Sequence, residues 1–565
     1  MIRSPRILPV CRVHARHRIL TLALPCCILV FAILLLFVFV IPIDAQQAAT
    51  SYRIAGVVVD AITGSPVARA RMSIFADGDE ADTIADDSGR FVFDGVEPGK
   101  KYNLNADAVG YVRESLDQHW NFSTAVAVGS GLDTEHIIFR LHPQAVIYGV
   151  ITDELGEAVR NAQVMLFSTE SAGGTRAPVI HGQASANDLG EFRFAHLLPG
   201  KYYVVVQAQP WYARHGFDYS GTPKPNPMLD LVYPITFYPG VTDEHSAVEL
   251  NMSAGDKREA DVQLVAVPAL HLRLNDIPDD VTTVGIGAHQ KIFGSWEMGG
   301  IPAMQGEIGP GQYEIAGVPP GNLTLNIATG ASQGSMRSVQ GNFANGDTID
   351  AASALGSGNI SGRVIFPAGT ESLRGQIALV GGTSGPNYSA EIKKDGSFSF
   401  EPVQPGTYTV NVFTNSRNGN YVEKISATGA NASGRELTIE NSADVQLDVT
   451  VGRGVSRISG LATLEGKPLA GALVLLSPAS GQNLEEDWRM DQSDSDGTFE
   501  LGLIIPGKYI LLAIEDAWDV EWKNQTALKP YLAKARTIEI QPNDARKITI
   551  EVQRKSVGTG SNAHP

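Results

Sequence analysis

One pattern recurs five times along this chain and limits what it can fold into. In each copy a short polar turn ends in Gly, an aromatic residue follows two positions later, and a Pro-Gly pair ends ten positions after the first Gly. The copies are Gly89 with Phe91 and Pro98-Gly99; Gly190 with Phe192 and Pro199-Gly200; Gly311 with Tyr313 and Pro320-Gly321; Gly396 with Phe398 and Pro405-Gly406; and Gly497 with Phe499 and Pro506-Gly507. This constant spacing within 565 residues indicates repeated structural units rather than one large core.

The residues of each copy favour β-structure. Gly, with Asp beside it in several copies, tolerates the left-handed backbone of a tight turn, so each polar turn is predicted to be a hairpin between two strands. Alternation such as Phe398-Ser399-Phe400 places two large side chains on one face of the next strand. Pro lacks the N–H that a sheet ladder needs, so the Pro-Gly pair ends that strand and another begins.

Four copies also begin with Gly in an apolar strand upstream of the turn, at Gly56, Gly149, Gly362 and Gly460. Each unit then contains about seven short strands separated by turns, which is typical of an antiparallel sandwich. Amphipathic helical periodicity is almost absent after residue 45. The predicted fold class is all-β: a tandem array of about five antiparallel β-sandwich domains after an N-terminal transmembrane or signal helix.

The order of these elements resembles the carboxypeptidase regulatory-like domain, a transthyretin-like or prealbumin-like β-sandwich grouped with carbohydrate-binding-like folds. The matching segments are 52–115, 145–210, 358–415 and 456–515, with 268–350 as a degenerate copy that lacks the opening Gly strand. The resemblance implies a β-sandwich array like those of large exported bacterial surface and periplasmic proteins. It does not imply carboxypeptidase activity, because the zinc ligands of those enzymes belong to a separate α/β domain.

The repeat predicts the domain boundaries. The predicted sandwiches are 50–143, 144–267, 268–353, 354–452 and 453–554, followed by a polar tail at 555–565 that we expect to be disordered. The second carries an insertion, Pro210 to Gly240, whose aromatic residues are Trp211, Tyr212, Phe217, Tyr219, Tyr233, Phe237 and Tyr238. This insertion is either a binding loop or an aromatic loop packed over its own sandwich.

The N-terminus has the pattern of a membrane-targeting segment. Residues 1–18 carry five Arg and no acidic residue, and residues 19–43 carry no charge. An apolar run of that length can span a bilayer, so we predict a signal anchor with 1–18 in the cytoplasm and 46–565 outside, in the periplasm or at the cell surface. The alternative is a signal peptide cleaved near Ala45, which would release a secreted protein.

Charge and cysteine content exclude several classes of protein. Beyond residue 45 the chain carries 39 basic and 60 acidic residues, a net charge of −21. Nucleic-acid binding is therefore not expected, because such proteins concentrate Lys and Arg. The three cysteines all lie within the first 27 residues, so the exported part has no disulfide framework and no Cys-based zinc site.

No catalytic, metal or cofactor motif is convincing in the sequence. The zinc-protease patterns of His and Glu are missing. Gly330 to Gly334 satisfies Gly-x-Ser-x-Gly, but no helical pattern follows it and the only later histidine is His564. Asp494-Ser495-Asp496-Gly497 resembles the start of a calcium loop without its closing ligand, so a plain turn is the preferred interpretation. We therefore predict a non-enzymatic protein without cofactors.

The sharpest functional hypothesis concerns Trp488, Trp518 and Trp522 in the fifth unit, which stand among acidic residues. Indole rings stack on sugar rings and carboxylates accept hydrogen bonds from hydroxyls, so these residues could bind a saccharide. The structural alternative is that Trp518 and Trp522 form one face of a short helical turn that caps the sandwich. The predicted function is a binding or scaffolding protein of the cell envelope with a glycan or an envelope protein as partner. The alternatives are a structural spacer or accessory subunit and, less favoured, a cryptic hydrolase. The sequence does not indicate an oligomeric state.

Overall fold

The structure is a computed structural model of the 565-residue chain. It describes residues 52–169, 178–217, 225–275, 284–294, 299–329, 335–350, 355–356, 358–367, 375–381, 387–414, 419–440, 444–479 and 487–555. The predicted membrane segment 19–43 and the motif at Gly330 to Gly334 lie outside these ranges. Within them, no helix has both the length and the apolar character that crossing a membrane requires.

Strands dominate the described residues, as predicted, and five consecutive groups of them each form sheets. Sandwich 1 comprises β1 (Tyr52–Asp60), β2 (Arg71–Ala76), β3 (Asp79–Ile84), β4 (Arg90–Val96), β5 (Lys101–Asp107), β6 (Glu114–Ser115), β7 (Val126–Ala127) and β8 (Ile137–Leu141). Sandwich 2 comprises β9 (Ala145–Thr152), β10 (Gln163–Ser168), β11 (Val179–Ser185), β12 (Glu191–Leu197), β13 (Gly200–Gln207), β14 (Leu231–Val232), β15 (Thr236–Phe237), β16 (Leu250–Met252), β17 (Lys257–Glu259), β18 (Val262–Gln263) and β19 (Val267–Pro268). Sandwich 3 comprises β20 (Leu270–Asn275), β21 (Val284–His289), β22 (Gly300–Ile301), β23 (Met304–Gly309), β24 (Gln312–Val318), β25 (Asn322–Thr329), β26 (Ser335–Asn342), β27 (Thr348–Asp350) and β28 (Leu355–Gly356).

The last two groups follow the same plan. Sandwich 4 comprises β29 (Gly358–Ile365), β30 (Gly375–Val380), β31 (Tyr388–Ile392), β32 (Ser397–Val403), β33 (Gly406–Thr414), β34 (Asn420–Thr428), β35 (Asn431–Ser433), β36 (Glu436–Ile439) and β37 (Val445–Arg453). Sandwich 5 comprises β38 (Ser456–Leu464), β39 (Lys467–Pro468), β40 (Leu473–Pro478), β41 (Arg489–Gln492), β42 (Thr498–Ile504), β43 (Gly507–Ile514), β44 (Arg536–Ile540) and β45 (Ala545–Glu551). Among the described residues, two short helices accompany these strands: a 3-10 turn at Glu244–Ser246 in sandwich 2 and α1 (Gln525–Leu532) in sandwich 5.

Each sandwich has two main sheets with the same connectivity. In one sheet the first strand pairs antiparallel with the strand after the polar turn and parallel with a later strand of the same sandwich, as β1 does with β4 and β8 and as β38 does with β42 and β45. The other sheet has the strand that follows Pro-Gly near its centre, as in the order β3-β2-β5-β6. A separate hydrophobic cluster lies within each of the five groups of strands.

The opening glycines lie where this first strand is most crowded. A Cβ on Gly460 would lie 2.0 Å from the carbonyl oxygen of Ile548 on the parallel neighbour β45. On the other side Gly460 is paired with Phe499, whose ring would lie 2.6 Å from that Cβ. Gly56, Gly149 and Gly362 occupy the same register opposite an aromatic residue. In the degenerate third copy Leu274 stands opposite Tyr313 instead.

The hairpin prediction for the polar turns is wrong in four copies. The turn glycine has a positive φ in all five, between 65° and 83°, so the chain does reverse there. In the first copy, however, β3 belongs to the sheet of β2 whereas β4 belongs to the sheet of β1. The turn therefore carries the chain from one sheet to the other, and only β23 and β24 of the third copy form a paired hairpin across it among the described strands. The tight turn determines only that the chain reverses. The strand after the turn pairs with the first strand of its sandwich, where its aromatic residue lies opposite the opening glycine.

The chain divides into two units, Met1–Ser51 and Tyr52–Pro565. All five sandwiches belong to the second unit, so their predicted boundaries, including 143/144 and 452/453, stay a prediction. The predicted tail lies almost wholly outside the described residues, which end at 555.

Candidate functional site

A large cavity lies where three sandwiches meet. Its volume is about 840 Å³, and its walls come from sandwiches 1, 2 and 5. The residues that line it are Glu114, Gln118, His119, Trp120 and His142 from sandwich 1; Thr169, Pro178, Leu198, Pro199, Gly200, Lys201, Tyr203 and Glu249 from sandwich 2; and Met490, Trp518, Asp519 and Trp522 from sandwich 5. The cavity therefore depends on contact between the first and the last sandwich of the array.

Gln492 at the end of β41 makes the most buried part of that contact. Its side-chain Nε2 donates to the carbonyl oxygen of Asp117 at 2.7 Å and to the hydroxyl of Thr124 at 2.9 Å. Its Oε1 lies 3.2 Å from Nδ1 of His119. Gln492 is 1% exposed, so its amide group cannot hydrogen-bond to solvent. Residues of sandwich 1 supply its hydrogen-bond partners instead.

The polar turn of the fifth copy extends this contact. Asp494 accepts hydrogen bonds from Nζ of Lys101 at 2.5 Å and from the backbone N–H of Ala125 at 3.0 Å. The hydroxyl of Ser495 accepts from the N–H of Ala127 at 2.8 Å. Burial raises the pKa of the Asp494 carboxyl, while its hydrogen bond to Lys101 opposes the shift. The residues that suggested a calcium loop thus bind sandwich 1, and no group of three or more potential metal ligands occurs in the described part of the chain.

Trp518, one of the three predicted binding residues, is largely enclosed by sandwich 1. Its ring stacks on His119 with centroids 5.0 Å apart and an interplanar angle of 10°. The ring of Phe122 packs against the indole with centroids 5.7 Å apart. Nε1 of Trp518 donates a hydrogen bond to the carbonyl oxygen of Gly471 at 3.3 Å. This tryptophan forms part of the cavity wall and of the contact between sandwiches.

Trp488 and Trp522, the other two, pack on each other inside sandwich 5. Their ring centroids are 5.2 Å apart, and they are 8% and 6% exposed. Trp522 contributes an edge to the cavity, whereas Trp488 is not among the lining residues. The short helical turn expected of Trp518 and Trp522 is not found: both lie in consecutive turns between β43 and α1. Trp518 nevertheless packs against the same hydrophobic cluster of sandwich 5 that contains Trp488 and Trp522.

Sequence reasoning missed the most accessible aromatic ring of the cavity, Trp120. It is 46% exposed and has a φ of 55°, and its carbonyl oxygen accepts a hydrogen bond from the side chain of Gln118. Its ring is 6.1 Å from that of Phe122. The run from His119 to Phe122 was a signal, because three rings in four residues between short strands are unusual for a solvated loop.

Ion pairs surround the apolar wall. Nδ1 of His142 lies 3.0 Å from Oε1 of the buried Glu114, and this hydrogen bond raises the pKa of His142 against the effect of burial. Nζ of Lys201 lies 2.8 Å from the Glu249 carboxylate. Burial, helped by the charge of Glu249, raises the pKa of the Tyr203 hydroxyl, which stays neutral at physiological pH. These groups offer donors and acceptors to a polar ligand around an aromatic surface.

The aromatic insertion of sandwich 2 is mostly packed inward. Tyr233 and Phe237 are 6% and 2% exposed. Trp211 is 75% exposed. Tyr219 lies outside the described residues. Tyr233 and Phe237 therefore pack over their own sandwich, whereas a binding role for the insertion stays a prediction.

Comparison with solved structures returns several pilins and other proteins, all at very low similarity. The Bacillus anthracis TIE protein is 9% identical, with 90% of this chain and 75% of that chain covered and a TM-score of 0.17. The minor pilin GBS52 of Streptococcus agalactiae is 14% identical, with 37% and 100% covered and a TM-score of 0.18. BcpA, the major pilin subunit of Bacillus cereus, is 11% identical, with 72% and 99% covered and a TM-score of 0.14. Superpositions this poor carry no argument about fold or function.

Sequence comparison is more specific. No curated protein matches the chain. Residues 53–138 match the family model of the carboxypeptidase regulatory-like domain. This range runs from the start of β1 into β8 and contains the whole first copy of the repeat. The resemblance noted in the sequence is thereby confirmed for the first copy of the repeat, and residues 53–138 are similar to the carboxypeptidase regulatory-like domain.

Proposed function

We propose that the chain is a non-enzymatic binding protein of the cell envelope, anchored by residues 19–43 with residues 46–565 outside, and that it binds a saccharide in the cavity between sandwiches 1, 2 and 5. The observation that carries this proposal is the cavity of about 840 Å³ with Trp120, Trp518 and Trp522 among its lining residues. A space of this size suits an oligosaccharide of a few rings.

The roles of the three rings differ. Trp120 supplies the accessible stacking surface, because it is 46% exposed. Trp518 and Trp522 form the wall beside Trp120. Trp518 is held by its stacking on His119, and Trp522 is held by packing inside sandwich 5. Sugar C–H groups would stack on Trp120, and hydroxyls would reach Lys201 and the carboxylates at the rim.

The test is a glycan array probed with the full-length protein, followed by titration of a retained glycan. We expect Trp120→Ala to weaken binding at least tenfold and to leave the fold intact. The matched control is Phe413→Ala, because Phe413 on β33 is also an exposed ring, at 59%, but lies outside the cavity. Failure of the wild-type protein to retain any glycan, or equal binding by the Trp120 variant, would contradict the proposal.

A structural scaffold is the second candidate, and the contact between sandwiches 1 and 5 favours it. Hydrogen bonds such as those of Gln492 fix the shape of the array without any need for a ligand. A scaffold predicts that Gln492→Ala disturbs assembly with an envelope protein while no glycan binds. The glycan titration therefore separates the two functions. An acidic exported surface also makes nucleic acid an unsuitable partner.

A further inference from the structure

A second groove, of about 780 Å³, lies between sandwiches 2 and 3, away from the cavity described above. One side is formed by the residues before β10 and after β13, including Arg160, Asn161 and Trp211. The other side is formed by Gly300 and Ile301 of β22 and by Pro302, which follows it. Both sides are described residues of the second unit of the chain.

Trp211 is held in an exposed position by its neighbours. Pro210 and Ala213 close a turn around it, with the N–H of Ala213 donating to the carbonyl oxygen of Pro210 at 3.0 Å. Tyr212, the next residue, packs edge-on against the indole at 5.7 Å, and its hydroxyl donates to Glu154 at 3.2 Å. A 75% exposed indole on an anchored turn is a rigid aromatic surface that needs little ordering to bind a ligand.

Two glutamines hold the groove together and keep acceptors available. Gln207 donates its Nε2 to the carbonyl oxygen of Gly300 at 2.5 Å, and Gln209 donates its Nε2 to that of Pro302 at 2.8 Å. In both side chains the amide N–H is used by sandwich 3, while Oε1 accepts no hydrogen bond from the described residues. Such fixed amide oxygens are suitable acceptors for hydroxyl groups.

Arg160 is the one charged residue among the described residues that line the groove. It makes no ion pair within the described part of the chain, although the exported region is strongly acidic. A guanidinium binds a carboxylate through two parallel hydrogen bonds, and no lining carboxylate competes for it. We propose that this groove binds a saccharide that carries a carboxylate, with the sugar ring on Trp211, its hydroxyls on Gln207 and Gln209, and its carboxylate on Arg160.

The test uses the full-length protein and defined uronate oligosaccharides: trigalacturonate, a guluronate trimer and a glucuronate-containing trimer. The fully methyl-esterified trigalacturonate serves as a neutral match for the first. We expect at least one uronate probe to bind in isothermal titration, and its ester to bind at least tenfold more weakly. Trp211→Ala and Arg160→Gln should each weaken uronate binding at least tenfold, and Arg160→Gln should not change binding of the ester.

Met228→Ala is the matched control, since Met228 belongs to the same insertion, is 77% exposed and does not line the groove. Binding unaffected by this change and by Trp120→Ala would separate the groove from the cavity between sandwiches 1, 2 and 5. The proposal is overturned if none of the three uronates binds, if the ester binds as well as the acid, or if Trp211→Ala leaves uronate binding unchanged.

Discussion

At the scale of single residues, the opening glycines explain why the repeat is so regular. Gly56, Gly149, Gly362 and Gly460 each have an aromatic residue opposite on one neighbouring strand and a crowding backbone carbonyl on the other side. A larger residue at any of these positions would push the parallel neighbour away. Because glycine has no Cβ, the aromatic ring opposite can cover the space beside it.

This predicts that Gly460→Ala is costly. Its Cβ would approach the Ile548 carbonyl to 2.0 Å, which requires β38 and β45 to move apart. We expect a loss of about 1–3 kcal/mol in the free energy of unfolding, the usual range for overpacking, measured by chemical denaturation. The control is Gly502→Ala in β42, where nothing lies within 4 Å, and we expect it to change stability by less than about 0.5 kcal/mol. Equal effects of the two changes would refute this account of the glycines.

At the scale of elements, a chain of mostly buried titratable groups joins sandwiches 2 and 3. His271 on β20 lies between two carboxylates, with Nδ1 2.7 Å from Glu314 on β24 and Nε2 2.6 Å from Asp230 beside β14. Asp230 also lies 2.9 Å from Nδ1 of His215, and Nε of Arg273 lies 3.8 Å from Glu314. Because both ring nitrogens of His271 face carboxylates, the doubly protonated ring fits this position best.

We expect this junction to weaken at high pH. Burial opposes the charged ring, but the hydrogen bonds to Glu314 and Asp230 outweigh it and raise the pKa of His271 above 6.5. A raised histidine pKa stabilises the folded state fully below the unfolded pKa of about 6.5, and this contribution is lost as pH rises through the folded pKa. Thermal unfolding of wild type and His271→Gln between pH 5 and 9 should therefore show a difference in Tm that shrinks with rising pH. A difference independent of pH would show that the ring contributes by packing alone.

The alternation of apolar and polar residues predicted where the strands lie, but the polar turns did not predict which strands pair. Alternation such as that of Phe398 and Phe400 identified β32, because burial on one face requires a period of two. The hairpin prediction fails because a glycine with a positive φ indicates only that the chain reverses. Which sheet the next strand enters depends on contacts such as Gly362 with Phe398, far apart in sequence.

At the scale of the whole molecule, the candidate site is a product of the array. Composition pointed to Trp518 and Trp522, which do line the cavity, but also to Trp488, which does not. Trp120 and Tyr203 were not foreseen, because the sequence pattern within one repeat says nothing about contact between its first and last copies. The polar turn at Asp494 resembled the start of a calcium loop, but it lies against Lys101 of sandwich 1.

Sandwich 5 lies against sandwich 1, and this contact creates the cavity in which we propose that a ligand binds. Carbodiimide treatment of the monomeric full-length protein, followed by peptide mass spectrometry, tests this contact directly, because this reagent joins only amines and carboxylates in contact. We expect a covalent link between Lys101 and Asp494, whose side chains are 2.5 Å apart. Lys201 and Glu249, 2.8 Å apart within sandwich 2, should be linked in the same sample as an internal control. Recovery of the control link without the Lys101–Asp494 link would contradict the closed arrangement and, with it, the cavity.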